Sequence, residues 1–256
     1  MIELNKIYNE DCLSGMKKIP DGSVDCIICD LPYEVLNRGN EKAQWDCMIP
    51  IDPLFKEYWR VAKENAPIIL FCQGMFTAKL MMAEPKNWRY NLIWQKDRPT
   101  GFLNAKRMPM RCHEDIAVFS RALPTFNPQM RPGFPNHSRG HKHGKPKGNV
   151  CYGRYNNEVY SKEMTTEKYP ISVLFFDKEK ERDMHPTQKP AALIQYLIRT
   201  YSNEGDTILD NCMGSGTTAI AAIREKRNFI GFELNKEYYD KACKRIKQEQ
   251  AQLTLF

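Results

Sequence analysis

Two short segments of this 256-residue chain carry the side chains best suited to chemistry. The first is Thr207-Ile-Leu-Asp-Asn-Cys-Met-Gly-Ser-Gly-Thr-Thr218. It reads as a strand closed by Asp210, a tight turn holding Gly214 and Gly216, and a helix. Glycines at such a turn let the backbone reverse without steric cost and approach a ligand closely. The next strand ends at Glu233, nineteen residues beyond Gly214. An acid at about that spacing is where a nucleotide's ribose hydroxyls are held. The turn lacks the lysine of a P-loop and is shorter than the Gly-x-Gly-x-x-Gly fingerprint. An NTPase is therefore disfavoured, and a dinucleotide-dependent oxidoreductase is a weaker alternative.

The second segment is Ile27-Ile-Cys-Asp-Leu-Pro-Tyr33, an apolar strand that presents Asp30, Leu31, Pro32 and Tyr33 at its carboxyl end. Ligands of open α/β sheets bind beyond the carboxyl ends of strands, so these residues should share one crevice with the glycine turn. The grouping suits methylation of an exocyclic amine, whose lone pair is delocalised into its ring. Two acceptors gripping the amine hydrogens favour a pyramidal nitrogen able to attack a methyl group. Asp30 can supply a carboxylate oxygen and Leu31 its backbone carbonyl, held extended by the proline that follows. Tyr33 offers a ring on which a base turned out of a duplex can stack.

Positioning these segments requires a sheet. Val24–Cys29, Pro67–Cys72, Tyr90–Trp94 and Ile116–Phe119 read as strands, with helical spacing over Pro53–Asn65 and Gly74–Ala83. Beyond Pro190, Ala191–Tyr201, Thr217–Glu225 and Lys236–Gln250 read as helices, and Thr207–Asp210 and Asn228–Glu233 as strands. This alternation predicts an α/β fold, a mostly parallel sheet with helices on its faces. Between Leu123 and Asp183 prolines and glycines break regular structure and predict a long functional loop region. The expected organisation is a catalytic part over residues 1–122, an inserted basic region over 123–184, a cofactor-binding part over 185–250 and a tail over 251–256.

The net charge of +7 is concentrated in that insertion. Between Arg121 and Lys162 eight basic residues face one acid, Glu158, which accounts for the whole excess. A localised basic stretch attracts a polyanion, with nucleic acid the natural partner, and Arg139, Lys142, Lys145 and Lys147 are its candidate phosphate contacts. His137, His141 and His143 stand among these lysines, and Cys26 is three residues from Cys29. Histidines interleaved with lysines more often face solvent or phosphates, and strand residues three apart point to opposite faces. No metal is expected. No apolar run approaches the roughly 18 residues of a membrane span, and the first residues lack a secretory layout, so a cytoplasmic protein is expected.

The motifs in this order resemble the β-class N6-adenine/N4-cytosine DNA methyltransferases. That family shows an Asp-Pro-Pro-Tyr catalytic motif, a target-recognition region, a His-Pro-Thr-Gln-Lys-Pro segment and a Phe-x-Gly-x-Gly cofactor motif. Asp30–Tyr33, His185–Pro190 and Asp210–Thr218 stand at the first, third and last. Asn9–Cys12, Trp45-Asp46, Asn91–Lys96, His113-Glu114 and Gly231–Glu233 with Tyr238 also look like family positions. Leu31 replaces the first proline of the catalytic motif, while Asn211 and Cys212 replace a proline and the phenylalanine of the cofactor motif. A slightly looser cofactor site is expected.

The resemblance implies a Rossmann-like S-adenosylmethionine-dependent methyltransferase fold with an inserted target-recognition region. It implies transfer of a methyl group from S-adenosylmethionine to N6 of adenine in duplex DNA by base flipping, leaving S-adenosylhomocysteine, within a restriction–modification setting. By resemblance, Asp30 contacts the cofactor's amino group and the target amine, Lys189 and Thr217 bond the cofactor's carboxylate, and Glu233 holds the ribose. Asp11 and Cys12 border its adenine, and Asp210, Cys212, Gly214 and Gly216 complete the cofactor loop. Two alternatives stay open: N4-cytosine methylation, although that subclass more often has serine at the position of Asp30, and a catalytically silent DNA-binding subunit. A 5-methylcytosine enzyme would present a Pro-Cys nucleophile, and the sequence has no Pro-Cys pair.

Enzymes of this family frequently form homodimers. The tail Gln252-Leu-Thr-Leu-Phe256 resembles the bacterial sliding-clamp-binding peptide, with Gln252, Leu253, Leu255 and Phe256 as its contacts. Packing of this tail on the protein itself is the alternative.

Overall fold

The apolar run Ile68–Cys72 forms a strand buried along its whole length, as a parallel strand covered on both faces must be. The computed structural model describes residues 2–33, 47–134, 166–178 and 188–253. In chain order the elements are β1 (Lys6–Tyr8), α1 (Cys12–Met16), β2 (Cys26–Asp30), α2 (Ile51–Val61), β3 (Ile68–Cys72), α3 (Met75–Ala83), β4 (Trp88–Thr100) and β5 (Arg111–Phe119). Then follow β6 (Arg131–Pro132), β7 (Glu167–Lys168), β8 (Val173–Phe175), α4 (Ala191–Tyr201), β9 (Thr207–Asp210), α5 (Thr217–Arg224), β10 (Asn228–Phe232) and α6 (Lys236–Leu253).

The chain divides into two compact units, Met1–Asn127 with Ser172–Phe256, and Pro128–Ile171. In the smaller, β6 and β7 pair antiparallel. The larger unit holds an eight-stranded sheet in the order β1-β10-β9-β2-β3-β5-β4-β8. Pairing from β1 through β3 is parallel, and β8 is parallel to β4. β5 runs antiparallel to both of its neighbours, so it is the one reversed strand of this sheet.

Helices cover both faces. Leu54, Phe55, Tyr58 and Val61 form the buried stripe of α2, which shares one core with residues of α1 and α3. Leu193, Ile194, Leu197 and Ile198 of α4 pack on the other face with α5 and α6. Each fully buried Leu, Ile or Phe side chain contributes about 1.5–3 kcal/mol relative to exposure. Cys26 points into the second core and Cys29 into the first, on opposite faces of β2 as their spacing dictates.

Several elements were not anticipated, among them β6 and β7 within the expected loop region. β1 is only three residues long, α1 only five, and β8 joins the sheet edge from within residues expected to be insertion. β4 and β5 also extend well beyond their apolar centres, as exposed strand arms. α6 continues past Gln250, so Gln252 and Leu253 are helical; Leu255 and Phe256 lie outside the described residues.

Candidate active site

The sheet order places β9 beside β2 at its switch point. From β9 the chain crosses through α5 to β10 on one side, and from β2 through α2 to β3 on the other. Crossovers leaving in opposite directions open a crevice beyond the carboxyl ends of the two strands, the usual ligand site of such sheets. Asp30 ends β2 and Asp210 ends β9, so the two predicted motifs meet there. Leu31 is buried and Pro32 half-buried. The Tyr33 hydroxyl donates to Asp30 Oδ1 at 2.5 Å, and its ring stands 5.2 Å from that of Phe76. Burial first, then the nearby Asp30 and Glu114 carboxylates, push the Tyr33 phenol well above its ordinary range.

Lys189, just before α4, is 7% exposed and donates to Asp30 Oδ2 at 2.5 Å. The same ammonium forms an ion pair with Glu114 Oε2 at 3.4 Å, and Glu114 Oε1 accepts from Lys96. Four charges of alternating sign thus run from β2 through Lys189 to β5 and β4, in a nearly dry setting. Burial alone would depress the Lys189 ammonium, but Asp30 and Glu114 outweigh it and raise it. Burial would likewise raise Glu114, and Lys189 with Lys96 reverse the sign to hold it low. Glu114 Oε2 has no hydrogen bond among the described residues, which leaves a buried acceptor beside Lys189.

The glycine turn has the form its sequence predicts. Gly214 and Gly216 adopt φ of +54° and +83°, a region in which a side chain is strained. Gly214 N donates to Glu233 Oε2 at 2.7 Å, and Asn235 N to Glu233 Oε1 at 2.8 Å. Burial raises the Glu233 carboxyl against these two donors. Asp210 is 4% exposed and accepts from Cys212 N at 3.0 Å. Burial raises its carboxyl from 3.8 to about 6, with opposing hydrogen bonds from Thr218 and Cys212.

The N-terminal segment closes the same end of the sheet. Asn9 donates to the carbonyls of Glu233 and Leu234 at 2.8 and 3.0 Å, while the Asp11 side chain caps α1 by accepting from Ser14 N at 2.9 Å. Asn211 Nδ2 lies 3.5 Å from the thiols of both Cys12 and Cys212, and Tyr58 donates to Asn211 Oδ1. Asn211, which replaces the family's usual proline, is therefore the hub of a buried polar cluster. Thr217 accepts from Arg245 at 3.2 Å, which leaves its hydroxyl proton able to donate.

So Asp30 through Tyr33, Asp210 through Thr217, Glu233, Asp11, Cys12 and Lys189 all lie at one end of the sheet. Arg139, Lys142, Lys145 and Lys147 fall outside the described residues, as do Trp45-Asp46 and His185 through Thr187. The joint role of Lys96 and Glu114 was missed. One signal was available: Leu92, Trp94 and Lys96 alternate as one buried face of β4, with a lysine where the pattern calls for an apolar residue.

The model of the N6/N4 DNA methylase family, described as a DNA methylase, matches residues 24–244. The chain is 31% identical to DNA adenine methyltransferase YhdJ of Escherichia coli (strain K12), over 95% of this chain and 83% of that protein. It is 29% identical to type II methyltransferase M1.MboII of Moraxella bovis, over 94% of this chain and 96% of that one. The crystal structure of the M1.HpyAVI–SAM complex superposes with a TM-score of 0.60 at 28% identity, covering 94% of this chain and 98% of its own. PvuII DNA methyltransferase (cytosine-N4-specific) shares the fold at 15% identity, with a TM-score of 0.65 over 95% and 90% of the two chains. A family pattern that spans both sheet halves and the crevice between them settles the kinship: this chain belongs to the N6/N4 DNA methylase family.

Proposed function

We propose that this chain transfers a methyl group from S-adenosylmethionine to N6 of adenine at a specific duplex sequence, after turning the base out of the stack. The observation that carries the reading is the meeting of Asp30, Asp210 and the Glu233-braced glycine turn at the switch point. When bound, the cofactor supplies an electrophilic methyl group on a positively charged sulfonium. The residues fit such a group. Asp210 is an acid whose carboxyl burial raises to about 6, and a neighbouring cation would favour its ionised form. Each Glu233 oxygen accepts one backbone donor and keeps a lone pair for a ribose hydroxyl. In this reading Asp11 and Cys12 border the adenine; Cys12 and Cys212 both lie 3.5 Å from Asn211 Nδ2.

Asp30 holds the target amine together with the Leu31 carbonyl. Its two oxygens are braced by Tyr33 and Lys189, and each retains a lone-pair site for an amine hydrogen. Lys189 keeps one of its three protons beyond Asp30 and Glu114, and Thr217, which accepts from Arg245, keeps its hydroxyl proton, so in this reading both can donate to the cofactor's carboxylate. Adenine is favoured over cytosine because an aspartate stands at position 30, and a relative of similar length bears the name of an adenine methyltransferase. Arg139, Lys142, Lys145 and Lys147 act on phosphates in this reading. A homodimer, a sliding-clamp contact through Gln252 to Phe256, and work beside the bacterial nucleoid belong to the same proposal. Among the described residues no helix is long and apolar enough to cross a membrane.

The test is transfer of label from methyl-labelled cofactor to duplex DNA, followed by digestion to nucleosides and mass spectrometry. N6-methyladenine is the expected product. N4-methylcytosine would overturn the choice of base, and absence of label would overturn the activity.

A further inference from the structure

The outer part of the β4–β5 hairpin, beyond Lys96 and Glu114, is the part of the catalytic edge that no step above uses. Cys72, the last residue of β3, pairs with Asp115 of β5, while Asp30 pairs with Phe71 one residue earlier. β5 begins at Arg111, four residues before that level, or about 13 Å along an extended strand. The hairpin thus projects past the carboxyl ends of the sheet, on the edge that presents Asp30 and Tyr33. Every residue from Arg98 to His113 is exposed.

The tip is ordered. Gly101, at φ +88°, opens a 3-10 turn over Phe102–Asn104, and the Asn104 carbonyl accepts from the amides of both Arg107 and Met108. On this fixed backbone Phe102 is 74% exposed, Leu103 84% and Met108 59%. A cluster of large apolar side chains held out in water costs free energy unless a partner covers it. Around it stand Arg98, Lys106, Arg107 and Arg111, with no acid between Arg98 and Cys112. Among the described residues Lys106, Arg107 and Arg111 have no carboxylate partner. An apolar point ringed by cations matches a nucleic-acid duplex, whose phosphates flank a stack of apolar faces. A second copy of the chain fits poorly, because a symmetric contact through the tips would bring Lys106, Arg107 and Arg111 of one copy against the same three cations of the other.

We infer that this hairpin is a DNA wedge: its cations hold phosphates while Phe102 and Leu103 enter the stack beside the target and fill the gap the turned-out base leaves. The inference rests on the methyl-transfer reading above. Turning a base out costs stacking and pairing, and apolar side chains inserted at the vacated step offset that loss. Phe102 and Leu103 therefore act on the flipping equilibrium, while Asp30 acts on the amine.

The test compares wild type with Phe102→Ala/Leu103→Ala and with Arg107→Ala/Arg111→Ala. The substrates are duplexes carrying the recognition site read from DNA methylated in an expression host. The apolar double variant should keep its melting temperature and cofactor affinity, since both side chains are exposed, and lose roughly 10–100-fold in kcat on paired DNA. A mismatch opposite the target base should restore most of that loss, because extrusion then needs no wedge. 2-Aminopurine at the target should brighten with wild type and stay dim with the variant. For the charge variant, the slope of log affinity against log salt should flatten by up to about 0.9 per lost contact.

Unchanged kcat on paired DNA, an equal loss on paired and mismatched DNA, or conversion of a dimer to monomers with unchanged DNA kinetics would each overturn the wedge. A wild type that binds DNA but transfers no methyl group would defeat the methyl-transfer reading instead, and the salt slope alone would then decide for or against the hairpin as a DNA contact.

Discussion

Lys189 Nζ lies 2.5 Å from Asp30 Oδ2, and this lysine, 7% exposed, is also the near neighbour of Glu114. A buried ammonium shared by two carboxylates costs much to expose from either side. Lys189→Met should therefore leave Asp30 without a cation and Glu114 with Lys96 alone, and destabilise the fold by up to about 3–5 kcal/mol. Chemical denaturation gives the number, and a loss below about 1 kcal/mol would show that the network is loosely solvated.

The same network sets a pH dependence. Glu114 is held below its ordinary range, so its contribution to stability is present above the unfolded carboxyl value and is lost as pH falls through the folded one. Lys189 is raised, so its contribution persists through neutral pH and disappears only as pH rises past the ordinary lysine value. Stability should thus decline on the acid side below about pH 4.5. Glu114→Gln should be less stable at neutral pH and show a shallower acid decline, which melting curves across pH would reveal.

Asp210 has the opposite sign. Its carboxyl is raised from 3.8 to about 6, so the folded state holds the proton more tightly and stability falls as pH rises through that window. The shift corresponds to at most about 3 kcal/mol above it. Asp210→Asn should then gain stability at about pH 8 and little at about pH 4. A bound cation favours the ionised acid, so cofactor affinity of wild type should strengthen as pH rises through about 6. Glu233 titrates in the same direction, and the Asn variant separates the two. Calorimetric affinities that do not change across this range would count against a cationic ligand at Asp210.

Much of this site was legible because its parts are local. A strand ending in Asp210, two glycines and a helix make a turn whose form follows from chain stereochemistry, and the structure gives those glycines the positive φ the turn needs. Glu233 was legible from spacing, since one crossover helix fixes how far on the next strand ends. The Lys96–Glu114–Lys189 network was not, because its members lie on β4, β5 and a distant segment that only tertiary folding joins. β1 escaped notice for a related reason: three residues carry no period, and their pairing with β10 comes from the far end of the chain.

The same joint predicts a packing limit. A Cβ on Gly15 would stand 2.2 Å from the ring of Phe232, the residue just before Glu233. Gly15→Ala forces α1 away from β10 and should cost about 1–3 kcal/mol. Cofactor affinity should weaken with it, because Asp11 and Cys12 open α1 and Glu233 follows Phe232, on the two sides of that contact. A variant that melts like wild type would show that α1 yields freely there.

Glu233→Gln keeps the shape of the side chain but loses the charge at a site braced by two backbone amides. A hydrogen bond to a charged group contributes about 1.5–3 kcal/mol, so cofactor affinity should fall roughly 10–150-fold. At saturating cofactor, kcat should stay near that of wild type. An equal fall in kcat would place Glu233 in the chemical step instead.

The central claim is that Asp30 grips the amine that attacks the methyl group. Single-turnover transfer by Asp30→Ala, with cofactor and DNA both saturating, tests it most directly. The rate should drop on the order of 10²–10⁴-fold while duplex affinity stays within a few-fold of wild type. An Asp30→Ala protein that transfers methyl groups at close to the wild-type rate would contradict the account.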